Sequence, residues 1–151
     1  MYYELATMTL PFGTAAQAAT SVQAYSTSPD AKGELLGCWF TDIGQLNQMI
    51  VLRGFADLAM LQTERERTQK SADPFGCGAV FQSLEQHSYQ GFAWMKPVRP
   101  SAESGITGPV YEIRTYGIRT GGVQPTIDLW AQYVPPREKL SPCVIAMVAL
   151  D

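Results

Sequence analysis

The chain has 151 residues, 46% of them hydrophobic and 17% charged, with a formal net charge of −3. That length builds one ordinary core, or one small domain and part of another, and the composition excludes a disordered or fibrous protein. Eleven basic residues scattered from Lys32 to Lys139 make no patch or stripe, so a nucleic-acid partner is not expected.

No apolar run approaches the roughly 18–20 residues that span a bilayer, and the first residues lack a basic segment followed by an apolar one. Cys38, Cys77 and Cys143 are odd in number and far apart, with no C-x-x-C spacing. This suits small hydrophobes in a reducing compartment rather than a disulfide framework, and a cytoplasmic protein is expected.

Tyr2–Leu10, "YYELATMTL", is rich in aromatic and β-favouring residues and stops at Pro11-Phe12-Gly13, which predicts a strand. Thr14 then offers an N-cap, and Ala15, Ala18, Ala19, Val22 and Tyr25 recur at helical spacing. "ELLGCWFTD" (34–42) and "LNQMIVLRGF" (46–55) are β-type runs joined by a short turn containing Gly44, which predicts a hairpin. Asp57 offers a cap for a helix over 58–71, with Glu66 and Lys70 at i,i+4. Asp73-Pro74 ends it, and "PFGCGAVFQSL" holds at most a short helix weakened by Gly76 and Gly78. A further strand is predicted over 84–95, followed by a stretch rich in Pro, Ser and Gly. The order β-α-β-β-α-β is the split βαβ of the ferredoxin-like plait, an α+β fold.

The chain then begins to repeat itself. At a constant offset of 108, Tyr3, Glu4, Thr7, Gly13 and Tyr25 meet Tyr111, Glu112, Thr115, Gly121 and Tyr133, while Leu5 and Leu10 meet Ile113 and Ile118. A strand, a glycine turn and a helix containing Asp128–Val134 are expected to recur in that order, as in a duplicated module. The predicted organisation is a first domain over 1–98, a linker over 99–109 and a partial second β-α-β copy over 110–151.

"YEIRTYGI", "GCWFTDIGQLNQMIVLRGF" and "SPCVIAMVALD" resemble the NIPSNAP proteins, part of the dimeric α/β-barrel superfamily, and the turn Asp42-Ile43-Gly44-x-Leu46-Asn47-Gln48 is the most specific piece. The resemblance implies two tandem plaits, each with its sheet facing a partner sheet, and a family whose bacterial members mostly lack an assigned reaction. Complete relatives carry a further hairpin and helix after the strand matching "AMVALD". Here the second copy holds only β-α-β, so its strand edges are expected to be covered by the first module or by another chain. Relatives often have a histidine where this chain has Val51. The single histidine, His87, falls on another strand and makes no zinc spacing, so neither a metal nor a haem is expected.

Strand alternation sorts the chemistry. Tyr3, Leu5 and Thr7 share one face, expected beneath the helices, and Glu4, Ala6 and Met8 share the other, expected to look toward the opposing sheet. Glu112, Arg114 and Tyr116 repeat the second set. With Asn47 and Arg53 from the third strand and Trp39 from the second, these make the ligand-binding candidates Glu4, Trp39, Asn47, Arg53, Glu112 and Arg114. They describe either a semi-apolar cleft for a small anionic or aromatic molecule, with arginine as the carboxylate clamp, or cross-strand ion pairs in a packing layer. No P-loop, dinucleotide fingerprint or serine elbow is present, no catalytic residue is identified, and no cofactor is expected. A protein-association or small-ligand-binding module forming homo-oligomers is the expectation. The alternative is a small cofactor-free enzyme of monooxygenase or isomerase type with a pocket between sheets.

Overall fold

The computed structural model describes residues 1–96 and 109–150. They divide into two compact units, one comprising Met1–Gln90 with the residues from Ala149, the other Gly91–Val148. The stretch expected as a linker, 99–109, lies outside the described residues except for its last position.

The first unit is built on β1 (Tyr2–Thr9), α1 (Ala15–Ser26), β2 (Glu34–Phe40), β3 (Gln48–Phe55), α2 (Leu58–Lys70) and β4 (Ser83–Gly91). Its strands lie in the order β2-β3-β1-β4, all neighbours antiparallel. A short β5 (Met147–Ala149) follows β4 in the same sheet, where the Leu150 amide donates to the Ser88 carbonyl at 2.9 Å. This is the ferredoxin-like arrangement expected from the element order. Each helix connects two parallel strands across the one that separates them.

Local chemistry fixes the element ends. The Asp57 carboxylate accepts the Met60 amide at 2.8 Å, capping α2. At α1 the Thr14 hydroxyl donates back to the Pro11 carbonyl at 2.8 Å instead of capping the helix. Only a single 3-10 turn forms at Pro74–Gly76, with Phe75 at φ 57 and Gly76 at φ 66. β4 stops four residues short of the expected Met95, because the chain turns over and the Met95 amide donates to the Phe92 carbonyl at 3.1 Å.

Both helices pack on the same side of the sheet. The core there is Ala6, Met8 and Leu10 from β1 and its exit, Met49 and Val51 from β3, Ala18 and Val22 from α1, and Phe75 and Cys77 from the 3-10 turn. This inverts the expected faces. Glu4, Ala6 and Met8 lie beneath the helices, and Tyr3, Leu5 and Thr7 lie on the far side. The physical reason is Glu4 itself, a charge taken to mark an outward face, which is buried against opposite charge.

In the second unit α3 (Val123–Arg137) forms where a helix is expected. The strand expected over 110–118 does not form among the described residues. A strand persists only when its backbone groups are paired by neighbours. β1 has β3 on one side and β4 on the other, and residues 111–118 have no such ladder.

Candidate functional site

The register sets Glu4 on β1 opposite Arg53 on β3, and from the middle of α2 Glu64 meets the same guanidinium from the helix side. Arg53 donates from Nε and Nη2 to Glu4 Oε1, at 3.1 and 2.5 Å, and from Nη1 to Glu64 Oε1 at 2.6 Å. The outer acceptors are used as well. Gln86 Nε2 donates to Glu4 Oε2 at 3.0 Å, and the Lys32 amide donates to Glu64 Oε2 at 3.1 Å. Arg67 completes the set with donors to both Glu64 oxygens, at 2.6 and 3.0 Å. Two carboxylates and two guanidiniums thus form one neutral, hydrogen-bonded cluster.

Glu4 and Glu64 are fully excluded from solvent and Arg53 is 1% exposed. Burying such charges is tolerable only when they are paired and their remaining donors and acceptors are satisfied. Aromatic rings supply the other walls. The Arg53 guanidinium lies 4.6 Å from the Phe75 ring centroid and 5.7 Å from that of Phe55, and Arg67 sits 3.6 Å over Tyr25. Burial pushes the Glu64 carboxyl up, but the Arg67 hydrogen bond, the Lys32 amide and the charges of Arg53 and Arg67 together hold it below its ordinary value.

The six ligand candidates do not share one surface. Trp39 pairs with Ile50 and so projects from the opposite side of the sheet to Arg53. Its ring occupies the space over Gly37, where a Cβ would lie 2.1 Å from a ring carbon. Asn47 is exposed in the hairpin at φ 59, and its carbonyl accepts the Leu10 amide at 2.8 Å. It borders a small recess of about 200 Å³ with Leu10, Pro11, Phe12 and Thr41. Glu112 and Arg114 belong to the second unit, exposed and bridged to each other at 2.7 Å. That hydrogen bond lowers the Glu112 pKa.

Sequence reasoning brought Glu4 and Arg53 to one face but missed Glu64 and Arg67. The i,i+4 pair Glu66 and Lys70 marks the solvated side of that helix, whereas Glu64 and Thr68, four apart, turn inward with Leu61. The available signal was the i,i+3 and i,i+4 spacing of Leu61, Glu64 and Thr68. Among the described residues no group of three or more His, Cys, Asp or Glu side chains is placed to hold a metal ion. No described helix is long and apolar enough to cross a membrane.

The family model for NIPSNAP matches residues 3–101. The chain belongs to the NIPSNAP family. Among solved structures, a NIPSNAP domain protein from Burkholderia xenovorans is 19% identical, with 64% of this chain and 99% of that chain covered and a TM-score of 0.49. A second NIPSNAP-like domain protein from the same organism is 21% identical over 68% of this chain and 96% of that one, with a TM-score of 0.47. A NIPSNAP family protein of unknown function from Agrobacterium tumefaciens is 23% identical, over 68% and 92%, with a TM-score of 0.44. No curated protein matches the chain. The NIPSNAP match spans β1 to β4 and therefore contains Glu4, Arg53, Glu64 and Arg67.

Proposed function

We propose that this NIPSNAP chain is a non-enzymatic association module that forms homo-oligomers through the sheet face turned away from α1 and α2. One observation carries the reading. β3 runs Met49-Ile50-Val51-Leu52, apolar on both faces, yet α1 and α2 pack against only one of them. An antiparallel sheet with a wet outer face alternates apolar with polar residues, and one apolar on both sides has both sides covered. On that outer face Tyr3 and Leu52 are already buried within the chain, whereas Leu5, Trp39 and Ile50 remain partly exposed, so the uncovered part of the face lies around Ile50.

The buried cluster supports association over ligand capture. A carboxylate ligand would have to displace Glu4 or Glu64 from Arg53, in a space already filled by Phe55 and Phe75. The cysteines Cys38, Cys77 and Cys143 are free thiols, which suits the reducing compartment expected from the sequence.

Ile50→Lys places a charge in the middle of the outer face without touching the helix-side core. Sedimentation equilibrium is expected to give dimers or larger assemblies for the native chain and a folded monomer for Ile50→Lys. Phe12→Ser, at a side chain 94% exposed beside the sheet's end, is expected to leave assembly intact. A native chain that stays monomeric at about 100 μM, well above the dissociation constant of a stable dimer, overturns the reading.

A further inference from the structure

α1 and α3 begin in the same way. Gly13 and Gly121, 108 positions apart, take φ 84 and φ 78. The Thr14 amide donates to the Pro11 carbonyl, and at the same offset Gly122 donates to Arg119. One turn later Ala18 donates to Thr14 and Thr126 to Gly122. The glycine turn and the helix start are therefore superposable pieces of backbone in two different surroundings.

In the first unit that surface is covered, and the cover is identifiable. The Cys77 thiol donates to the Ala18 carbonyl at 3.5 Å, and Gly76 lies against Ser21 so closely that a Cβ would sit 3.3 Å away. The Phe75 ring stands 5.4 Å from Tyr25. The strand end is closed by backbone, with Gln82 donating to the Thr9 carbonyl and Leu10 to that of Asn47, both at 2.8 Å. Leu10, Ala18 and Val22 are consequently buried.

In the second unit the counterparts are less covered: Thr126 and Trp130, at the places of Ala18 and Val22, are half-buried, with Trp130 edge-on to Tyr116 and Phe92. Ile118, at the place of Leu10, is 42% exposed. Leu129 and Tyr133, at the places of Ser21 and Tyr25, are also exposed, and α3 has no buried residue at all. Gly117 and Ile118 make no bond corresponding to those of Thr9 and Leu10 among the described residues. What remains is a groove of about 780 Å³ lined by Ile118, Gly121, Pro125, Thr126 and Leu129, with Arg119 its one charged residue among those described.

The geometry points to this groove as a docking site for a polypeptide segment of a partner, an aromatic-glycine turn running into a strand, with the chemistry that residues 73–84 supply to α1. Three properties of the groove select that occupant. Its helix-and-turn frame matches the one that already holds such a turn, and its rim offers unladdered backbone to a strand, as in β-strand addition. Its single charge, Arg119, opposes the single charge of "DPFGCGAVFQSL", Asp73. The groove is built from residues of the second unit, whereas the association reading rests on the sheet of the first, so the inference goes beyond that reading.

The probe is a synthetic peptide of residues 73–84, kept reduced, titrated into the isotopically labelled full chain carrying Ile50→Lys, so that loss of sheet-face assembly does not enter. Amide shifts at Ile118, Gly121, Thr126 and Leu129 are expected to saturate. A Phe75→Ala peptide, or the Leu129→Glu chain, is expected to bind at least about tenfold more weakly. The inference is overturned by no shift at about 1 mM peptide, by shifts confined to residues 2–90, or by Leu129→Glu binding like its parent.

Discussion

Arg53 on β3 and Glu64 on α2 bridge at 2.6 Å with both side chains out of reach of water, joining the helix layer to the sheet through charge. Removing one member of a buried pair strands the other, which costs about 3–5 kcal/mol. Arg53→Met leaves Glu4 buried without a cationic partner, while Glu64 keeps Arg67, and is expected to lose about that much in urea unfolding. A loss under about 1 kcal/mol would show that solvent reaches the cluster.

Acid should reveal the same cluster. Glu64 has a folded-state pKa below its unfolded value, since Arg67, Lys32 and Arg53 outweigh the burial that would raise it. A depressed carboxyl contributes its stability fully above the unfolded pKa, about 4.3, and loses it as pH falls through the folded value. Denaturation midpoints are expected to be flat from about pH 7 to 5 and to decline below that. Glu64→Gln should flatten part of the decline while lowering the plateau. An unchanged slope in Glu64→Gln would assign the acid sensitivity to other carboxylates.

Burial first, and the neighbouring Cys77 second, push the Cys38 thiol up to about 11. The thiolate is the reactive form, so at pH 8 only about one part in a thousand of Cys38 is primed for alkylation. Iodoacetamide labelling followed by peptide mapping is expected to find Cys38 nearly unmodified in the native chain, its rate rising about tenfold per pH unit up to about pH 10. Fast labelling at pH 7 would contradict this.

Asp57 tests the capping argument in isolation. Its carboxylate serves the Met60 amide at the exposed start of α2, and Asp57→Ala is expected to cost about 1 kcal/mol while Asp57→Ser keeps most of that. Equal stability of Asp57→Ala and the native chain would mean that water replaces the cap.

The plait was legible because its elements carry strong local signals: the Pro11-Gly13 break, the hairpin at Gly44, the Asp57 cap and the Asp73-Pro74 stop. The orientation of the sheet was not. Alternation sorts residues into two faces without saying which is inside, and the usual tie-breaker is polarity. Glu4 and Arg53 defeat that tie-breaker because they are polar only in isolation. Their neutraliser, Glu64, sits on a helix that also carries charges facing water, Glu66 and Lys70. Residues 111–118 failed for the opposite reason. Their local signal is as strong as that of β1, but a strand is a property of its neighbours.

The cluster also decides how the strands slide. Met49-Ile50-Val51-Leu52 would offer β1 nearly equivalent grease one residue out of step, so aliphatic contacts discriminate poorly between alignments. A one-residue slip of β3 would swing Arg53 through to the far surface and abandon Glu4 as a dry anion, leaving Glu64 to Arg67 alone. Electrostatics thus acts as the ratchet tooth of this sheet, rejecting any slip that turns Arg53 to the opposite surface.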